Sequence, residues 1–150
     1  MSMKPIQHAA FAARVLACTL LASLATGVAH AEGATLYDQI GGEAKMHAVA
    51  EEFTRTILAD DRINFTFANT DLKKFTQLIF EQFCNLAGGP CKYTGRDMKT
   101  SHEKLNIDNA MFNALTEDLY IAFERVHVPY RLQNKLIVLL APMQKDIVKR

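Results

Sequence analysis

The segment LAGGPCKYTGRDMKTSHEKL, Leu86 to Leu105, decides how this chain folds. Gly88-Gly89-Pro90 ends whatever helix precedes it, because glycine favours a left-handed stop and proline cannot continue the ladder. Residues 91–97 (CKYTGRD) then read as a polar loop, and Met98 to Lys104 as a short helical piece that carries His102. Upstream of the glycines, Leu72, Phe75, Ile79, Phe83 and Leu86 recur at steps of three and four, which is one face of a helix, and Thr70-Asp71 can cap its start. Downstream, Asp108 opens a helix that turns Met111, Phe112, Leu115, Leu119, Ala122, Phe123 and Val126 inward. Pro129 starts a last helix with Leu132, Leu136, Leu139, Leu140, Met143 and Ile147 on its buried face, and Pro142 is expected to bend it.

Toward the N-terminus, Thr35 with Asp38 three residues on is a helix start, and Gly41-Gly42 ends a very short first helix. Ala44 to Leu58 places Met46, Val49, Phe53 and Ile57 on one stripe, closed by Asp60-Asp61, before the aromatic connection Asn64-Phe65-Thr66-Phe67. No alternating strand, internal repeat or low-complexity tract occurs. The fold class is all-α with four main helices.

The first 31 residues follow a different logic. Met1 to Arg14 is a basic leader, Val15 to Val28 an uncharged and mostly apolar stretch, and Ala29-His30-Ala31 a small-x-small cleavage site. That is the layout of a secretory signal. A retained anchor is the rival reading, but about 14 apolar residues fall short of the roughly 20 that span a bilayer. Cys18 within Val15-Leu16-Ala17-Cys18 also resembles a lipoprotein box, although no apolar segment precedes it. The expected organisation is a signal over 1–31 and one domain over 32–150, with a periplasmic or secreted location and no stable membrane insertion after cleavage. The leader holds Lys4 and Arg14 and no acidic residue, so a chain at +1 overall leaves 15 basic against 16 acidic groups in the remainder. So balanced a charge argues against a nucleic-acid binder or a polybasic membrane-surface protein.

In an exported chain Cys84 and Cys91 can oxidise to a disulfide, since Gly88-Gly89-Pro90 lets the chain turn back between them. Equally, Cys84 ends an apolar helical pattern and can serve as a small buried hydrophobe. Neither has the close cysteine or histidine partner that a zinc site needs.

The chemistry rests on histidines. His47 follows inward Met46 and reads as a solvated edge, and His127 sits at a helix end where an imidazole meets terminal carbonyls. His102 differs: it lies between two loops, opposite the stripe of Phe75, Ile79 and Phe83. No HExxH, no GxxxxGK[ST], no GxSxG and no CxxCH is present. One histidine beside a large apolar surface suits axial ligation of haem iron, which asks one neutral imidazole of the protein.

These motifs in their order resemble the group 1 (N-type) truncated haemoglobins: Thr35-Leu36-Tyr37 before Gly41-Gly42, Phe53, Leu58-Ala59-Asp60-Asp61, Phe67, Ala87-Gly88-Gly89-Pro90, Tyr93-Thr94-Gly95-Arg96, Met98-Lys99, His102, Phe112 and Ala141-Pro142. The register holds over about residues 34–148. The resemblance implies a two-over-two helical sandwich, the helices near 44–58 and 71–87 facing those near 108–126 and 130–148. It implies His102 as proximal ligand of a b-type haem. Phe53, Phe67, Phe75, Ile79, Met98, Phe112, Leu115 and Leu119 are then the pocket, and Lys73, Lys74, Arg96 and Lys99 the candidate partners of the propionates.

Against the family pattern, Thr54 stands where many relatives carry a distal tyrosine, and Phe75 and Ile79 stand where one or two glutamines are usual. Leu78 replaces the second histidine ligand of some relatives, and Gln144 the histidine that others link to a haem vinyl group. The implied haem is therefore non-covalent, in a distal pocket whose remaining hydrogen-bond donors are Thr54, Gln77 or Gln82, with Phe75 a possible gate. Three functions follow from the resemblance: reversible binding of O₂, NO or CO; NO dioxygenation or peroxidase-like turnover, which needs an external reductase or electron donor; and a haem-based redox or sensing role.

Overall fold

The computed structural model describes residues 33–149, and the leader expected over residues 1–31 lies outside them. Thr35 caps α1 (Leu36–Ile40) through a reciprocal capping box: its hydroxyl accepts from the Asp38 N–H, and the Asp38 carboxylate accepts from the Thr35 N–H. Gly41 and Gly42, both at positive φ, reverse the chain into α2 (Gly42–Ala59), which starts two residues earlier than the apolar stripe alone indicates. A single 3₁₀ turn spans Asn64–Phe67. Asp71, rather than Thr70, caps α3 (Leu72–Leu86) by accepting from the Lys74 N–H. After the loop comes α4 (Met98–His102), capped by Asp97, and then α5 (Asn109–Arg125), capped by Asp108.

The last helix is where pattern and structure part. Pro142 does more than bend it. The helix stops as α6 (Tyr130–Leu140), a 3₁₀ turn spans Ala141–Met143, and α7 (Gln144–Ile147) follows as a separate piece. Proline removes a ladder donor and its ring crowds the carbonyl four residues back. Leu139, expected inside, is exposed, while Ile137 packs inward.

The architecture is the expected two-over-two sandwich: α2 packs against both α3 and α5, and α3 against α6. Its core is Met46, Val49, Phe53 and Ile57 from α2, Phe80, Phe83 and Cys84 from α3, Leu119, Ala122 and Phe123 from α5, and Leu132 and Leu136 from α6. Each large apolar side chain so buried contributes about 1.5–3 kcal/mol. Phe83 belongs both to this core and to the wall of a cavity that Phe75, Leu78, Ile79 and Gln82 of α3 also line. Among the described residues no helix is long and apolar enough to cross a membrane.

Candidate functional site

A cavity of about 1080 Å³ opens between α3, α4, α5 and the α6–α7 end of the chain. His102 lines it, and so do Phe53, Phe67, Phe75, Ile79, Met98, Phe112, Leu115 and Leu119. Phe67 and Phe75 meet edge-on at 5.2 Å between ring centres, so the 3₁₀ turn and α3 share one aromatic corner of the wall.

His102 is held in one orientation. Its Nδ1 lies 2.7 Å from the Met98 carbonyl oxygen, one turn earlier on α4. A carbonyl only accepts, so in the neutral ring the proton sits on Nδ1 and Nε2 keeps its lone pair. This is the arrangement in which a metal-ligating imidazole is usually oriented. No cluster of three or more His, Cys, Asp or Glu able to hold a bare metal ion occurs among the described residues. Haem fits these constraints: the volume is at the upper end for cofactor sites, the lining is aromatic and aliphatic, and one imidazole is offered. Of the cations, Lys74, Arg96 and Lys104 stand on the lining, whereas Lys73 and Lys99 of the expected set do not.

Thr54 is a correction. It is absent from the cavity lining, and its hydroxyl is 2.8 Å from the Ala50 carbonyl and 2.9 Å from the Thr76 hydroxyl, on the buried seam between α2 and α3. Thr76 in turn reaches the Leu72 carbonyl at 2.8 Å. Two hydroxyl protons face three acceptor contacts, so none is spare for a ligand. Gln77 also points away, its amide donating to Glu81. Gln82 does line the cavity, buried, with its amide near the thioethers of Met98 (3.5 Å) and Met143 (3.6 Å). The face that α2 and α3 turn to the cavity is otherwise Phe53, Phe75, Leu78, Ile79 and Phe83, with Asp71 and Lys74 at the N-terminal end of α3.

The lining that sequence reasoning missed comes from the chain's far end and from loops: Leu105, Ile137, Leu140, Met143, Gln144 and Ile147. Only the break at Pro142 turns Gln144 and Ile147 onto α4, a change of direction that no periodicity announces. His47, by contrast, is where its neighbours place it, half-exposed and stacked on Phe80 at 3.6 Å, away from the cavity. His127 takes a positive φ of 58° at the α5 end, with its backbone N–H donating to the Glu124 carbonyl.

The loop that delivers His102 is strongly tied. Cys84 and Cys91 form a disulfide with Cα atoms 5.7 Å apart, resolving the two readings of these cysteines. Glu81 accepts from both the backbone N–H and the hydroxyl of Thr94, and these donors, the hydroxyl foremost, hold its carboxyl below the usual range. Tyr93 donates to the Arg96 carbonyl, and its phenol is pushed up chiefly by burial. Gly89 has no room for a side chain, since a Cβ would come within 2.6 Å of the Cys84 sulfur and 2.7 Å of the Tyr37 ring.

Comparison with known proteins agrees with this geometry. The family profile described as "Bacterial-like globin" matches residues 35–149. The group 1 truncated haemoglobin of Tetrahymena pyriformis is 31% identical over 114 residues, covering 76% of this chain and 94% of that protein. The one from Mycolicibacterium paratuberculosis is 31% identical over 117 residues, 78% of this chain and 86% of its own. In structure, the Fe(III) form of the Tetrahymena pyriformis protein superposes with a TM-score of 0.74 at 30% identity, over 78% of this chain and all of that one. The chain belongs to the bacterial-like globins and, within them, to the group 1 truncated haemoglobins.

Proposed function

We propose that this protein is an exported haem b globin that binds a diatomic gas, O₂ or NO, reversibly, with His102 as its one protein ligand to iron. Truncated haemoglobins bind haem, and the observation that carries the reading here is the Nδ1 bond of His102 to the Met98 carbonyl on the wall of a large apolar cavity. The haem, when bound, would supply an iron able to take a diatomic gas. The residues do the rest. His102 presents Nε2; Met98, Phe112, Leu115 and Leu119 exclude water from the cofactor's faces; Lys74, Arg96 and Lys104 offer charge to its carboxylates.

A relative from Synechococcus sp. PCC 7002 is described with covalently attached haem. In this chain Gln144 takes the place of the histidine expected for such a link, and an amide cannot form it, so non-covalent attachment is proposed. Of the three expected donors, Thr54 and Gln77 are turned away and Gln82 spends its amide on the Met98 and Met143 thioethers, so the rest of the wall that α2 and α3 turn to the cavity is mostly phenyl and aliphatic. O₂ gains more from a hydrogen-bond donor than CO or NO does, and a missing neutral donor is worth about 0.5–1.5 kcal/mol, more when the acceptor is charged. The proposed protein accordingly releases O₂ fast and autoxidises readily, which favours binding over an NO-oxidising cycle that must hold O₂. Export rests on the leader at residues 1–31 and its Ala29-His30-Ala31 site.

An absorption spectrum of the purified mature protein tests this reading. A Soret band present in the wild type and lost in His102→Ala supports it, and no Soret band after haem-supplemented expression overturns it. N-terminal sequencing of the exported product beginning near Glu32 tests the leader.

A further inference from the structure

The last turn of α3 meets the loop before His102 at successive points. Cys84 is joined to Cys91, and the Asn85 amide donates to the Cys91 carbonyl at 3.0 Å. Glu81 accepts from Thr94 N–H at 2.9 Å and from the Thr94 hydroxyl at 2.7 Å. Gln82 donates to the Met98 thioether at 3.5 Å. Met98 is also the residue whose carbonyl accepts from His102 Nδ1. One turn of helix thus fixes positions 91, 94 and 98 of the chain that ends at the imidazole.

We propose that Glu81 and Gln82 are positioning residues for His102, holding Thr94 and Met98 so that the Met98 carbonyl stays in line with Nδ1. The inference rests on His102 being the iron ligand. Two features argue that the ties act on the ligand and not merely on the fold. Neither Met98 nor His102 is fully buried, and α4 contributes no residue to the hydrophobic core, so packing alone leaves this short helix weakly held. The loop between the ties is stiffened internally as well: Tyr93 donates to the Arg96 carbonyl, and a Cβ on Gly95 would collide with the Tyr93 ring. A displacement imposed at Thr94 is therefore passed along to Asp97 and Met98, not absorbed by the loop. The chemistry at stake is the basicity of Nε2. A well-aligned Nδ1–H···O bond makes the imidazole a stronger donor to iron, and outer partners of this kind are worth roughly 10–100-fold in metal affinity.

The test uses the haem-loaded, disulfide-intact protein as wild type, Glu81→Ala, Glu81→Gln and Gln82→Met. Three quantities are measured: the iron–histidine stretching band of the ferrous, gas-free protein by resonance Raman, the rate of haem transfer to excess apomyoglobin, and helix content by circular dichroism. The expected result is a band moved to lower frequency with haem loss roughly tenfold faster in Glu81→Ala. Glu81→Gln, which still accepts from Thr94, gives a smaller change, and Gln82→Met, which cannot donate to sulfur, shifts the band as well. Should Glu81→Ala lose helix, the other two variants carry the test. A band at the wild-type frequency in the folded variants overturns the proposal, including when haem loss is faster, since that is a structural effect without repositioning. A wild-type protein that binds haem but shows no iron–histidine band overturns the assignment of His102, and this inference with it.

Discussion

His102 and Met98 are joined by a 2.7 Å contact between Nδ1 and a backbone carbonyl, and that contact leaves Nε2 as the one nitrogen able to bind iron. Substituting His102 removes the donor and leaves the cavity wall otherwise intact. In His102→Ala the Soret band is expected to vanish at micromolar haem, and millimolar imidazole, which can enter the space left behind, to restore it. Recovery without added imidazole would show that another group takes the iron.

The Thr54 hydroxyl is committed to Ala50 and Thr76. Thr54→Val is therefore expected to change the O₂ dissociation rate by less than about twofold, whereas loss of a donor to the gas would cost roughly two- to tenfold. Stopped-flow displacement of O₂ by CO measures it. The same variant removes a buried hydrogen bond to Thr76 and is expected to lower stability by about 1 kcal/mol.

The Cys84–Cys91 bridge closes a seven-residue separation. Short loops of this kind restrict the unfolded chain by about 2 kcal/mol. Reduction with excess dithiol, or Cys91→Ser, is expected to lower the melting temperature by roughly 10 °C for a domain of this size. Calorimetry with and without reductant reads it, and an unchanged Tm would show that the reduced loop is held as firmly by Glu81 and Asn85.

Asp118 is buried on α5, with Oδ2 unpaired, beside Asp60, Arg62 and Glu117. Burial first, and the charge of Asp60 second, push its carboxyl up to about 6. The unfolded value is about 3.9. Between those values the native state binds the extra proton, so this group's contribution to stability is complete below pH 4 and is lost as pH rises to 6. Asp60 runs the other way: hydrogen bonds from Arg62 hold it low, so its contribution fades only below the ordinary carboxylate range. Asp118→Asn keeps a donor toward Asp60 without the charge. A tenfold change in proton affinity corresponds to about 1.4 kcal/mol, so the variant is expected to gain up to about 3 kcal/mol at pH 7.5 and little at pH 4. Urea melts at the two pH values check this, and an equal gain at both would assign the effect to packing.

Gly89 lies against Cys84 and the Tyr37 ring with no space for a methyl group. Gly89→Ala is expected to cost about 1–3 kcal/mol through overpacking. Gly88, at φ +79° with looser surroundings, is expected to cost about 1–2 kcal/mol on substitution by alanine through backbone strain. Paired thermal melts distinguish the two positions.

The helices were legible because their signals are local. Thr35 and Asp38, Asp71, Asp97 and Asp108 are caps written within three or four residues, and the stripes of α2 and α3 repeat at helical spacing. His102 was singled out through the company of Gly88-Gly89-Pro90 and the YTGR motif, not through its own spacing, and it does stand on the cavity wall. What was not legible depends on direction. Thr54 sits next to Phe53 in sequence, yet one helical step turns its hydroxyl out of the cavity and onto Thr76 of another helix. Gln77 and Gln82 are equally polar, and only the rotation of α3 decides that one meets solvent and the other the cavity. Asp118 reads as an ordinary polar position among the inward residues of α5; its burial follows from the approach of Asp60, 58 positions away.

The break at Pro142 has a bearing on which parts of the molecule open first. Neither α4 nor α7 holds a fully buried residue, the two pack on each other, and neither adds to the core shared by α1, α2, α3, α5 and α6. The core and the cavity wall share Phe53, Phe83 and Leu119, whereas α4 and α7 line the cavity without entering the core. With the cavity empty, α4 and α7 are therefore expected to exchange their amide hydrogens sooner than the helices that share the core, which hydrogen-exchange measurements on the haem-free protein would read.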